Sequence, residues 1–72
     1  IEVPPGGIFG PHTHPEREEI YYVLSGSGTI TIEDKEITAK EGLTLYVSGE
    51  DSHGMRNKGE EPLLVMFITV YK

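Results

Sequence analysis

The sequence contains no cysteine and no tryptophan. Without thiols, a disulfide staple and a thiolate metal site are both excluded. Cations are scarce: 6 lysines and arginines stand against 12 aspartates and glutamates, for a formal net charge of −6. That balance argues against nucleic acid as a partner, because phosphate contacts need clustered Lys and Arg. The acidic surface reads instead as a solubility feature. No apolar run approaches the ~18 residues needed to span a membrane. No basic, apolar and small-residue succession marks a secretory signal. The expectation is a soluble, cytoplasmic protein. The chain opens at Ile1 without an initiator methionine, so it reads as a processed, truncated or engineered piece of something longer.

At 72 residues the chain is expected to form one domain, residues 1–72. A domain near this size buries only about 60% of the surface its unfolded chain exposes, so its core alone gives marginal stability. Small domains find further support in disulfides, a metal or oligomerisation. With disulfides excluded, a metal held by histidine and carboxylate, and self-association, remain.

Turn residues recur every few positions. Pro4-Pro5-Gly6-Gly7, Gly26-Ser27-Gly28, Asp34-Lys35, Glu41-Gly42, Ser48-Gly49-Glu50-Asp51 and Asn57-Lys58-Gly59 all read as turns. Between them lie β-branched and aromatic runs at 19–24, 29–33, 36–39, 43–47 and 63–71, with a strand-like start at 1–3. No window holds a helical period. Many short strands at this spacing predict an all-β sandwich or barrel. Thr29, Thr31 and Glu33 alternate with Ile30 and Ile32, as in a strand with one wet face. Leu63 to Ile68 is apolar on both faces, and such a strand wants cover on both. A second subunit is the preferred cover, over a local loop.

The chemistry-bearing residues are the three histidines and one glutamate. His12 and His14 are two apart, so in an extended segment they point to one face. Two imidazoles so placed can converge on one ion, although this spacing alone is common among surface histidines. Glu19, Tyr21 and Val23 share a strand face. If Val23 faces the interior, Glu19 does too, and a carboxylate there must be paired, hydrogen-bonded or bound to metal. Glu16 and Glu18 read as solvated neighbours. His53 shares a face with Met55 and Asn57 if its segment is extended. Ligation is argued from the combination and not from any one residue.

Gly6, His12, His14, Glu19 and Gly26 match every interval of one motif: Gly, five residues, His-x-His, four residues, Glu, six residues, Gly. Gly42, His53 and Asn57 match a second, in which Ser48 and Glu50 replace the usual Pro and Gly. With these two motifs the chain resembles the cupin superfamily. The substitutions suggest that the turn shifts to use Gly49 for a positive φ. The motifs span Gly6 to Asn57, with a short stretch, Ser27 to Glu41, between them. The resemblance implies a double-stranded antiparallel β-barrel, or jelly roll, lacking N-terminal strands. It implies a metal held by His12, His14, Glu19 and His53 in the barrel interior. The sparse N-terminal strands and the doubly apolar last strand both point to a homodimer.

Three imidazoles and one carboxylate suit a divalent transition metal: Fe, Mn, Cu, Ni or Zn. Calcium prefers six to eight oxygens. An octahedral ion would keep two positions open for a small, chelating ligand or substrate. Ile8, Tyr21, Val23, Met55, Tyr46 and Phe67 are expected to line the pocket, with Arg17 and Arg56 solvated. Beyond Glu18 and the tyrosines no second acid–base residue is evident. The resemblance leaves three readings open, since fold does not fix function. They are a metal-dependent oxygenase, a noncatalytic small-molecule-binding or sensing module, and a barrel in which the metal is mainly structural.

Overall fold

The computed structural model describes residues 1–71, and every described regular element is a strand. The strands are β1 (Glu2–Val3), β2 (Ile8–His12), β3 (Arg17–Ser25), β4 (Ser27–Ile32), β5 (Lys35–Lys40), β6 (Thr44–Ser48), β7 (His53–Arg56) and β8 (Leu63–Tyr71). They form two four-stranded antiparallel sheets, ordered β1-β8-β3-β6 and β2-β7-β4-β5. The turn spacing predicted an all-β sandwich or barrel, and the arrangement is the jelly roll that the family resemblance implied. The strands at 19–24, 29–33, 36–39, 43–47 and 63–71 are all present, with ends shifted by one or two residues.

Two strands, β2 and β7, fall on segments that carry no β-branched run. Their residues are Ile8-Phe9-Gly10-Pro11-His12 and His53-Gly54-Met55-Arg56. They are strands because they pair with each other, Phe9 opposite Met55 and His12 opposite His53, across a bulge that includes a cis Gly10–Pro11 bond. The β4–β5 hairpin also differs from expectation. Ile32 pairs with Lys35, so Glu33 and Asp34 make the turn. Glu33 takes a φ of 53° there.

Period-two alternation sends one set of side chains inward. Val3, Tyr21, Val23, Val47, Leu63 and Val65 from the first sheet meet Ile30, Ala39 and Met55 from the second in one buried cluster. The chain moves from the first sheet to the second between Ser25 and Ser27, at Gly26, which has a φ of 83°. A side chain here would be strained and would strike the Pro62 carbonyl. The motif glycine is thus the barrel corner.

Gly49 has a different role from the expected one. It is not among the residues with positive φ. A Cβ at Gly49 would instead overlap the carbonyl oxygens of His14 and Arg17. The residue is there for space: the 49–52 loop lies against the 13–16 loop, and the His14 amide donates to the Gly49 carbonyl at 2.7 Å.

Asn57 ties the other end. Its buried amide donates to the carbonyls of Val3 at 2.9 Å and Glu61 at 2.7 Å, and its side-chain oxygen accepts from the Gly59 amide at 2.8 Å. Its own backbone pairs with Gly6 and Gly7. Replacing Asn57 by Ala removes the donor to the buried Val3 carbonyl and the part-buried Glu61 carbonyl, at about 1–3 kcal/mol for a buried group left unsatisfied. Asn57→Ala is expected to lower unfolding stability by about 2–3 kcal/mol, read as a shift in the urea midpoint with an unchanged slope.

Candidate metal centre

β2 and the loop after it carry His12 and His14, β7 opens with His53, and β3 presents Glu19 on its inner face. Ring centroids lie 4.4 Å apart for His12–His14, 4.7 Å for His12–His53 and 5.6 Å for His14–His53. One ring nitrogen from each lies within 4.8 Å of the others, so the three could hold a metal ion. Glu19 is 4% exposed and His53 is wholly buried. Glu19 Oε1 stands 3.4 Å from His53 Nε2.

The His53 ring is set by its other nitrogen. Nδ1 lies 2.8 Å from the Asp51 carbonyl. A carbonyl only accepts, so Nδ1 carries the proton and Nε2 of the neutral ring is a bare lone pair. Nε2 is buried and makes no hydrogen bond. Two acceptors therefore face each other, the Nε2 lone pair and a carboxylate oxygen, in a place without water access. A metal cation satisfies both groups at once. Adjacent donors on an ion with bonds of ~2.1 Å sit about 3.0–3.4 Å apart. The three imidazoles could hold a metal ion, and the Glu19–His53 separation is of the size that adjacent donors on one ion show.

Neighbouring groups hold the glutamate. The Tyr21 hydroxyl donates to Glu19 Oε1 at 3.2 Å. Burial, and then the Glu19 charge, push the Tyr21 phenol well above its ordinary pKa, so it remains a proton donor at neutral pH. Arg17 is not the solvated residue expected. Its Nε lies 3.7 Å from Glu19 Oε2, and that Nε is buried without a hydrogen-bond acceptor.

Other expected pocket residues divide between the two faces. Val23, Met55 and Tyr21 are buried, and Phe67 packs its ring 6.4 Å from that of Tyr21. Ile8 and Tyr46 do not line the pocket, being 76% and 61% exposed. Strand alternation puts Ile8 opposite Arg56 and Tyr46 opposite Ile20, on the outer surfaces. The Tyr46 hydroxyl bonds Glu18, and Arg56 pairs with Glu36, so neither Glu18 nor Arg56 is simply solvated. A shallow hollow of about 120 Å³ is bounded by residues that include Ile8, Pro11, Thr31, Gly54 and Arg56. Thr31 and Gly54 pair on the face opposite to Ile32 and His53, so this hollow lies away from the histidines.

A family model for the cupin domain matches residues 1–70. The chain belongs to the cupin family. A Thermotoga maritima oxalate-binding protein is 30% identical over 97% of this cupin and 58% of its own length. An uncharacterised protein of Methanocaldococcus jannaschii is 36% identical over 89% of this chain and 51% of its own. Among solved structures, a predicted oxalate decarboxylase of Thermotoga maritima superposes with a TM-score of 0.91 at 30% identity. That match covers 99% of this chain and 62% of the other. The cupin thus spans about half the length of these curated relatives. Among the described residues no helix is long and apolar enough to cross a membrane.

Burial, and then the neighbouring His53 and His14, hold the His12 pKa below its ordinary value of 6.5. The unfolded chain therefore binds this proton more readily than the folded one, and stability rises with pH in that range. In metal-free protein the contribution is complete above about pH 6.5 and declines as pH falls from there towards the lowered folded pKa. Urea midpoints measured between pH 7.5 and 5.5 are expected to fall with acidification, and less steeply in His12→Asn.

Proposed function

We propose that His12, His14, Glu19 and His53 bind one divalent transition metal, and that this centre holds a small chelating carboxylate such as oxalate. The observation that carries the reading is the buried lone pair of His53 Nε2 aimed at the Glu19 carboxylate 3.4 Å away. A bound ion supplies Lewis acidity and open coordination positions for a second oxygen pair. The chain's own residues do the rest. Asp51 holds the His53 tautomer through its carbonyl, and Tyr21 orients the glutamate by donating to it. Arg17 brings a permanent positive charge beside Glu19. A guanidinium with an unpaired N–H suits an anionic ligand, since charge-assisted bonds to carboxylates are the strong ones. The oxalate-binding relative supports the same ligand class.

Binding without turnover is favoured over chemistry that needs a positioned general base. Tyr21 is held protonated, and the carboxylate of Glu19 is already engaged by Tyr21 and Arg17. A base should titrate near the working pH, and Tyr21, with its pKa raised, does not. A second reading, an oxygenase acting on a small chelating substrate, rests on the donor set, which also suits Fe(II).

Protein purified without added metal is expected to carry about one transition ion per chain by elemental analysis. His53→Ala should carry none. Chelation should lower the melting temperature, because an ion bound only by the folded state adds to stability. Calorimetric titration of oxalate should show binding to loaded protein and none after chelation. Arg17→Ala should weaken that binding by about tenfold, or ~1.4 kcal/mol. Metal-free wild-type protein, or oxalate binding that ignores chelation, overturns the reading. Oxygen uptake by iron-loaded protein with catechols, diketones or thiols would select the oxygenase.

A further inference from the structure

We propose that the ligand held at the metal centre carries an aryl substituent, seated between Phe9 and Phe67 on the open side of the barrel. The inference rests on the chelating-carboxylate reading above and adds the part of the ligand which that reading leaves out. An aryl 2-oxo acid has both parts, an oxygen pair that chelates and a flat apolar tail.

The way out of the site is set by what surrounds it. Inward of the histidines, Tyr21, Val23, Ile30 and Met55 fill the core and are at most 2% exposed. Arg17 and Glu19 stand on the β3 side. The 13–16 and 49–52 loops are tied together by the bond from the His14 amide to the Gly49 carbonyl. One side remains. β1 and β2 end their respective sheets and are joined by the short 4–7 turn. β1 pairs with β8 only at Leu63 and Leu64, so among the described residues no strand pairs with that edge of β8 beyond Val65. His12 and His14, on β2 and the loop after it, are partly exposed, whereas Glu19 and His53 are buried.

Each lip of this opening carries a phenyl ring on the inner face. Phe9 pairs with the buried Met55, and its ring meets that of His12 edge-on at 4.9 Å. Phe67 pairs with the buried Tyr21, and those rings lie 6.4 Å apart. Tyr21 lies 6.2 Å from His53, and His53 lies 4.7 Å from His12. Phe9 and Phe67 are thus the two ends of one arc of rings that passes through the candidate metal ligands. Although they face inward, they are 38% and 39% exposed.

That exposure is what a tail would cover. On aromatic side chains of about 150–250 Å², it leaves roughly 60–100 Å² of each phenylalanine to water. A ligand that covered half of this area would gain about tenfold in affinity or more. Aromatic pairs prefer edge-to-face and offset contacts, which favours an aryl over an alkyl tail. Arg17 sets the other end, since its guanidinium attracts a carboxylate. The ligand therefore lies with its carboxylate towards Arg17 and its ring towards the two phenylalanines.

Benzoylformate and pyruvate are 2-oxo acids that differ only in phenyl against methyl. Calorimetric titration of the zinc-loaded chain is expected to give benzoylformate a dissociation constant at least about tenfold below that of pyruvate. Phe9→Ala and Phe67→Ala should each shrink that ratio, and the double variant should bring it to about one. Zinc is diamagnetic, so NMR of the wild-type complex supplies a check that needs no variant. The phenyl protons of benzoylformate should show nuclear Overhauser contacts to the rings of Phe9 and Phe67. If both acids bind with equal affinity, this inference is overturned and the chelating-carboxylate reading stands. A preference that survives the double variant, with no such contacts, overturns it as well. If neither acid nor oxalate binds the zinc-loaded chain, the chelating-carboxylate reading falls and this inference falls with it.

Discussion

The buried approach of a neutral imidazole nitrogen to a carboxylate organises one end of this barrel. His53 Nε2 and Glu19 Oε1 both present lone pairs, and neither is reached by solvent. Left alone, such a pair costs the folded state, because the imidazole nitrogen has lost water and gained no donor. A cation bound there, as proposed, would remove that cost. Nearby polar groups are arranged to keep the pair in that condition. The Asp51 carbonyl fixes the proton on the far nitrogen, and the Tyr21 hydroxyl holds the near carboxylate oxygen. Such outer partners orient ligands and set their tautomers in metal sites generally. Even the backbone complies, since Gly49 lets the loop before His53 lie against the loop that carries His14.

One strand joins the interior chemistry to the outer surface. β3 sends Arg17, Glu19, Tyr21 and Val23 inward, and Glu18, Ile20, Tyr22 and Leu24 outward. The inner row grades from charged at the mouth to apolar in the core. The outer row is apolar over most of its length. Because strand side chains alternate with a period of two, one segment can serve a polar site on one face and an apolar surface on the other. A one-residue slip of β3 would exchange the two rows and destroy both. The pairings to β6 and β8 fix the register against that slip.

Membership of the cupin family accounts for the barrel and for the positions at which the two motifs meet. It does not choose a reaction, which depends on the groups beside the ion. Here those groups are a phenol held protonated, a guanidinium and apolar side chains. The proposed binding role rests on these groups.

The all-β class, six of the eight strands and the residues that meet at the site were legible in the sequence. The signals for them are local or lie in fixed intervals. Alternation places Glu19 with Val23, and the spacing of Gly6, His12, His14, Glu19 and Gly26 singles out one constellation. Other features depended on partners distant along the chain. β2 and β7 have little strand propensity of their own and become strands by pairing with each other. Arg56 looked like a free surface cation until the fold brought Glu36 to it. Tyr46 and Ile8 face outward because register, and not hydrophobicity, sets which side of a sheet a residue occupies. Motif spacing, read through the family resemblance, thus named the residues that meet. Only tertiary structure put a lone pair against a carboxylate, because that contact joins one strand from each sheet.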